Sequence, residues 1–176
     1  MRLTYFKRSD GSTREREISP QRLVNYRNTW YLDAWCHASE ALRRFALDAV
    51  RAATLLDAKA KNVALRDLEA ALDAGYGIYG GAGAKVKWAT LVFTAEAAQW
   101  VANEEWHPQQ KARWLDITPG GPPGEGRYEL KVPYSDPTEL TMDILRHGDS
   151  VVVTADKALV ALIGQRLRAA AARYGG

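Results

Sequence analysis

The sequence predicts a mixed α+β protein, a small five-stranded β-barrel followed by an α/β domain. Three observations carry this. The first 56 or so residues run in short alternating apolar and polar stretches broken by turn residues. A glycine-rich stretch, Tyr76-Gly77-Ile78-Tyr79-Gly80-Gly81-Ala82-Gly83, then interrupts the pattern. Beyond it, strand-like runs alternate with segments of helical spacing.

Each element follows from its residues. Arg2 to Lys7 alternates, with Leu3 and Tyr5 on one face and Thr4 and Phe6 on the other. Ser9-Asp10-Gly11-Ser12 supplies the backbone angles of a hairpin. A second strand spans Thr13 to Ser19, and Pro20 marks its edge or exit because proline lacks a ladder donor. Arg27-Asn28 turns the chain into Thr29 to Cys36, where Trp30, Leu32, Ala34 and Cys36 share one face and Tyr31, Asp33, Trp35 and His37 the other. Leu42 to Leu47 and Arg51 to Leu56 are the last two strands. Five short strands suit a barrel, which removes exposed sheet edges.

Residues 59–84 read as a connector. Leu65, Leu68, Ala71 and Leu72 have helical spacing, and the helix should end near Gly75. A phosphate-cradling glycine loop follows a strand and opens a helix; here the order is helix, glycines, strand, which reads as a linker. Residues 85–176 then form the second domain. Val86 to Phe93 is a strand, and Thr94 caps a helix running to about Asn103. Strands at 112–118 and 127–133 flank the loop Pro119 to Gly124. Asp136-Pro137-Thr138-Glu139 is a strong helix start, Gly148 ends that helix, and Asp149 to Thr154 is the last strand before an amphipathic helix. The order β-α-β-β-α-β is the ferredoxin-like arrangement.

Composition narrows function. Of 176 residues, 47% are hydrophobic and 26% charged, as in ordinary globular proteins. No apolar run approaches the roughly 20 residues of a membrane span, and the N-terminus has no signal-peptide core, so a cytoplasmic, membrane-free protein is expected. Cys36 is the sole cysteine, and it shares the face of Trp30 and Leu32, so a buried, inert thiol is expected. His37, His107 and His147 lie too far apart for a metal motif, and no cofactor is expected. Residues 1–51 hold ten basic residues, nine of them Arg, against six acidic ones. Arginine forks suit phosphate, because they donate two parallel hydrogen bonds.

A family resemblance lies in these residues. Trp30-Tyr31-Leu32 is the tripeptide that names the WYL domain, and it stands in an ordered set. Tyr5, Gly11, Arg14, Arg16, Pro20 and Leu23 precede it; Ala34, Cys36, Arg43, Phe45, Leu47 and Asp48 follow. The second half resembles the C-terminal extension of WYL regulators, through Tyr76 to Gly80, Ala97-Ala98-Gln99-Trp100-Val101, Glu105-Trp106-His107-Pro108 and Leu145-Arg146-His147-Gly148. The resemblance implies a Sm/SH3-like barrel that binds anionic nucleic acid in an Arg and aromatic groove, within a dimeric bacterial transcriptional regulator. The family commonly has Arg where this chain has Ala46 and Ala49; Arg44 and Arg51 are the nearest basic substitutes. Family members also carry a winged helix-turn-helix that holds promoter duplex, and the sequence here starts on the WYL strand.

The candidate site is therefore Tyr5, Arg14, Arg16, Tyr31, His37, Arg43, Arg44 and Arg51. Trp30 and Phe45 are expected in the core, which places Tyr31 on the opposite, open face with Asp33 and His37. Trp100, Trp106 and His107 are expected in core or dimer contacts. No nucleophile elbow surrounds Ser19 or Ser39, and nothing pairs Asp33 with Asp48 across a cleft, so no enzyme is expected. Three readings stand: a sensor of single-stranded DNA, a receptor for a small anionic metabolite or nucleotide, and a structural dimerisation module.

Overall fold

The computed structural model describes residues 1–73, 75–78, 85–116 and 126–175. The glycines at 80, 81 and 83 and the loop at 119–124 lie outside the described residues. The chain divides into two compact units, one over Met1–Asp73 and one holding residues 75–78 and 85–175.

The first unit is an antiparallel sheet of β1 (Arg2–Lys7), β2 (Ser12–Tyr26), β3 (Thr29–Cys36), β4 (Ala41–Ala46) and β5 (Val50–Thr54), in the order β4-β3-β2-β1-β5. β2 is 15 residues long and changes partner midway. Ser12 to Glu17 pair with β1, whereas Ile18 to Tyr26 pair with β3. Pro20 does not end the strand as the sequence suggested. It sits beside a bulge, beyond the end of β1, where no partner needs its missing N–H. Arg27 and Asn28 both take positive φ, the geometry of a two-residue hairpin that follows strand twist.

The expected closed barrel is not found, because no ladder joins β4 to β5 among the described residues. The sheet is nonetheless strongly curled. β4 and β5 stand at opposite ends of the strand order, yet only the 3-10 turn Leu47–Ala49 connects them. Four inter-strand steps of about 4.8 Å would separate flat edges by about 19 Å, which three residues of tight turn cannot span. The Tyr5 ring on β1 accordingly meets Phe45 on β4 edge-on at 5.2 Å, although two strands separate them in the ladder.

Alternation sorts the side chains onto two faces. Leu3, Ile18, Leu32, Ala34, Cys36 and Phe45 form the inner core. The opposite face is covered by α1 (Leu65–Leu72), whose Leu68 and Leu72 pack on Leu42 beside Trp35 and Val63. Residues expected as linker thus include a helix that belongs to the first unit. At its C-terminal end, Asp73 joins an ionic cluster centred on the buried Asp33. Asp33 accepts from Arg22 Nε at 2.8 Å and from Arg44 Nε and Nη2 at 2.5 and 2.8 Å. Asp73 accepts from Arg22 at 2.5 Å and Arg44 at 2.9 Å. Burial alone would lower the Arg44 pKa; its bonds to Asp33 and Asp73 hold it above the usual value.

Trp30 corrects a core expectation, being 52% exposed. The β3–β4 ladder ends at Tyr31 and Ala46, so Trp30 lies on a hairpin arm with no neighbour from β4. Phe45 is buried as expected.

The second unit runs β6 (Lys87–Phe93), α2 (Ala95–Val101), β7 (Lys111–Trp114), β8 (Tyr128–Tyr134), α3 (Pro137–Arg146), β9 (Val151–Ala155) and α4 (Lys157–Ala171). Its sheet order is β7-β8-β6-β9. Thr94, Asp136 and Asp156 cap the three helices through their side-chain oxygens. One core joins Leu91, Phe93, Leu130 and Val132 of the sheet to Val101, Leu140, Ile144, Leu159 and Ile163 of the helices. Tyr76 and Ile78 are buried in this unit. The Tyr76 hydroxyl donates to Asp143 at 2.8 Å, and the Ile78 N–H donates to Glu139. Trp106 packs on the core, His107 is half-buried, and Trp100 is 64% exposed.

Candidate functional site

A cavity of about 370 Å³ opens on the inner face of the curled sheet, lined from four strands. β1 contributes Tyr5 and Lys7, β2 contributes Arg14 and Arg16, and β4 contributes Arg43, Arg44 and Phe45. Cys36 ends β3 on this wall, and Ala38 and Ser39 follow in the turn. Register explains the convergence, because Tyr5 stands opposite Arg14 and Ala34 opposite Arg43, so their side chains share a face. The cavity lies where β2 leaves β1 for β3. Buried Phe45 and Cys36 form its floor, while Arg14 and Arg43 are exposed at its rim.

Charge in the cavity is predominantly positive, and two of its arginines, Arg16 and Arg43, have no acidic partner among the described residues. Asp10 accepts from Lys7 Nζ at 2.7 Å and lies 3.3 Å from Arg14 Nη2. The Lys7 ammonium and the Ser12 hydroxyl and N–H hold the Asp10 carboxyl well below the usual range. Arg14 Nε donates to Ser12 Oγ at 3.1 Å, and Arg43 Nε donates to Ser39 Oγ at a long 3.4 Å. Among the described residues, the Arg16 side chain makes no hydrogen bond or ion pair, and Arg43 has no acidic partner. Burial pushes the Cys36 thiol up, but the Ser39 hydroxyl, the Ser39 and Ala38 amides and the nearby Arg16 bring it below its ordinary value. Cys36 is buried, as expected, but its surroundings are polar.

Of the residues singled out in sequence, Tyr5, Arg14, Arg16, Arg43 and Arg44 line the cavity. The Arg44 guanidinium is turned into the cluster with Asp33 and Asp73, so its charge is already matched. Arg51 does not line the cavity and lies 5.2 Å over Phe6 on the other face of β1. Tyr31 is half-buried opposite Ala46. His37 is exposed, with Nε2 3.0 Å from Ser19 Oγ. The face carrying Tyr31, Asp33, Trp35 and His37 is thus the one that α1 and Val63 cover in part, and Lys61 Nζ caps the Trp35 ring at 3.2 Å. The open surface is the other face. Lys7, Cys36, Ser39 and Phe45 escaped the sequence reading as lining residues. Lys7 shares the face of Tyr5 two residues on, which was the available signal.

Among the described residues no three His, Cys, Asp or Glu side chains converge to hold a metal, and no helix is long and apolar enough to cross a membrane.

A curled β-sheet with a cationic cavity, followed by an antiparallel sheet bearing helices, makes this a two-module α+β protein. The modules have counterparts among known families. The WYL domain family model matches residues 1–55, and the WCX domain family model matches residues 85–171. The chain therefore carries a WYL domain followed by a WCX domain, the C-terminal extension of WYL proteins. Among solved structures, it is similar to proteasome accessory factor B/C (PafBC) of Arthrobacter aurescens, at 25% identity and a TM-score of 0.41. That match covers 99% of this chain and 25% of the other, so the chain spans about a quarter of that protein's length. No curated protein matches the chain significantly.

Proposed function

We propose that this chain is the ligand-sensing half of a WYL-family transcriptional regulator, and that it takes up single-stranded DNA in the cavity of the first unit. The observation that carries this is the pairing of cations lacking acidic partners, Arg16 and Arg43, with the half-buried Tyr5 ring over one cavity. A polyanion with flat bases matches both features: phosphates accept from guanidinium forks, and bases stack on rings. The binding set is Tyr5, Arg14, Arg16 and Arg43, with Lys7 added. In this reading the site binds and does no chemistry, the setting is cytoplasmic, and promoter duplex is held by the winged helix-turn-helix that family members carry. The second unit, whose element and strand orders support a ferredoxin-like reading, joins two copies into a homodimer. Ligand signals by binding one arrangement of the dimer better than another, since equal affinity would shift nothing.

The cavity's compactness favours a second reading, a receptor for a small anionic nucleotide, because about 370 Å³ lies in the range of small-molecule sites. Fluorescence anisotropy with a labelled oligothymidine separates the two. Three phosphate contacts give a log–log salt slope of about −2, so affinity falls roughly twentyfold between 50 and 200 mM salt. Arg43→Ala weakens binding. A flat salt response, unchanged affinity in Arg43→Ala, or thymidine monophosphate competing as well as the oligomer would reject the strand-binding reading. Sedimentation with and without oligonucleotide tests the dimer, and a dimer indifferent to ligand would mark a purely structural module.

A further inference from the structure

We infer that the cavity takes the end of a strand, and that the group it recognises is a terminal phosphomonoester rather than an internal phosphodiester. This rests on the strand-binding reading above and makes it more specific.

The first observation is charge. Lys7, Arg14, Arg16 and Arg43 line one small cavity, and among the described residues the only acid paired with any of them is Asp10. Arg44 adds nothing to this excess, because it and Arg22 are matched by Asp33 and Asp73. Four cations against one carboxylate leave a surplus of three. An internal phosphodiester offers one negative charge and two free oxygens. A terminal phosphomonoester offers about −1.5 to −2 at pH 7 and three acceptor oxygens, which suits donors arriving from separate directions.

The second observation is shape. A site that tracks a passing strand is a groove open at both ends, and it spreads its cations along the backbone. This cavity instead ends on the buried Phe45 ring and the buried Cys36. Its cations come from separate strands, Arg14 and Arg16 from β2 and Arg43 from β4. The Tyr5 ring, held edge-on by Phe45, forms the flank on which the last base or sugar rests. A compact site of this kind fits one terminal group, whereas a passing strand needs a trough that continues on both sides.

The experiment is a competition on the full chain. An oligothymidine labelled at an interior position reports binding, and unlabelled strands of one length compete: 5′-phosphorylated, 3′-phosphorylated, and hydroxylated at both ends. One of the phosphorylated strands is expected to compete about tenfold or more better than the hydroxyl strand, the scale of a lost charge-assisted contact. In Arg16→Ala, which removes one member of the binding set, every strand should bind more weakly, and the ratio between the phosphorylated and hydroxyl strands should fall to about one. Arg16 lies at the cavity with no structural partner, so the variant folds, and unchanged far-UV circular dichroism checks this. Equal competition by all three strands overturns end recognition while leaving strand binding intact. So does an advantage that survives in Arg16→Ala. Failure of every strand to compete overturns both readings together.

Discussion

Asp33 and Asp73 contact the same two arginines, yet their replacement should have very different consequences. Asp33 is 0% exposed and accepts three charge-assisted bonds, whereas Asp73 is 39% exposed. In Asp33→Ala, Arg44, with a side chain only 8% exposed, keeps the Asp73 carboxylate but loses the buried one. Removing one partner of a buried ion pair costs about 3–5 kcal/mol, because the remaining charge stays desolvated. A unit of this size has about 4–11 kcal/mol of stability in all, so a large share of it is at stake. Asp73→Ala leaves both arginines on Asp33, and water reaches the vacated position, so its cost should stay below about 1 kcal/mol. Urea unfolding followed by pulsed hydrogen exchange reads each unit through its own peptides. With a urea slope of about 1–3 kcal/mol per molar, Asp33→Ala moves the first unit's midpoint down by roughly 1–5 M and leaves the second unit where it was. Asp33→Leu combined with Arg44→Met should recover much of the loss, since a buried pair exchanged for apolar groups is often neutral. Equal midpoint shifts for Asp33→Ala and Asp73→Ala would refute the reasoning, because burial would then not be what decides the energy.

Two further outcomes concern the second unit. Gly77 has φ of +71°, and a Cβ there would run into the Glu139 carboxylate that accepts from Ile78, so Gly77→Ala should lower that unit's thermal midpoint by several degrees while leaving the first unit unchanged. His147 stacks on Trp106 at 5.6 Å and meets Phe93 edge-on at 5.2 Å. Burial first, and Arg146 second, lower its pKa, so the folded state favours the neutral ring. The stability this contributes is present above the ordinary value of 6.5 and is lost as pH falls through the lowered one. Urea midpoints of the second unit measured from pH 7 down to 4.5 should therefore decline, and His147→Phe should flatten that decline; an unchanged slope in the variant would remove His147 from the account.

Much of the strand pattern was legible because alternation is a local property. Arg2 to Lys7 and Thr29 to Cys36 emerge as strands with the expected boundaries, and helix caps at Thr94 and Asp136 follow from side chains that satisfy orphan amides. What failed was whatever depends on neighbours outside the strand. The two faces of β3 were separated correctly, but which face is covered depends on where α1 docks, and Leu68 and Leu72 carry no label naming Leu42 as their partner. Size alone sends Trp30 to the core, whereas the end of the β4 ladder leaves it in solvent. For Arg43 and Arg44, adjacency implied opposite faces but not which guanidinium would meet acids. Asp73 lies 29 residues from Arg44, beyond the reach of local reading.

The three-residue turn from β4 to β5 has a mechanical consequence for the site. Tyr5 and Arg14 form one wall of the cavity and Arg43 the other, and among the described residues no backbone ladder runs directly between these walls. Their separation is set by how tightly the sheet is rolled, which Leu47–Ala49 limits like a short tether. Anything gripped by Arg14 and Arg43 together resists unrolling, and lengthening the tether would loosen the grip without touching a single binding side chain.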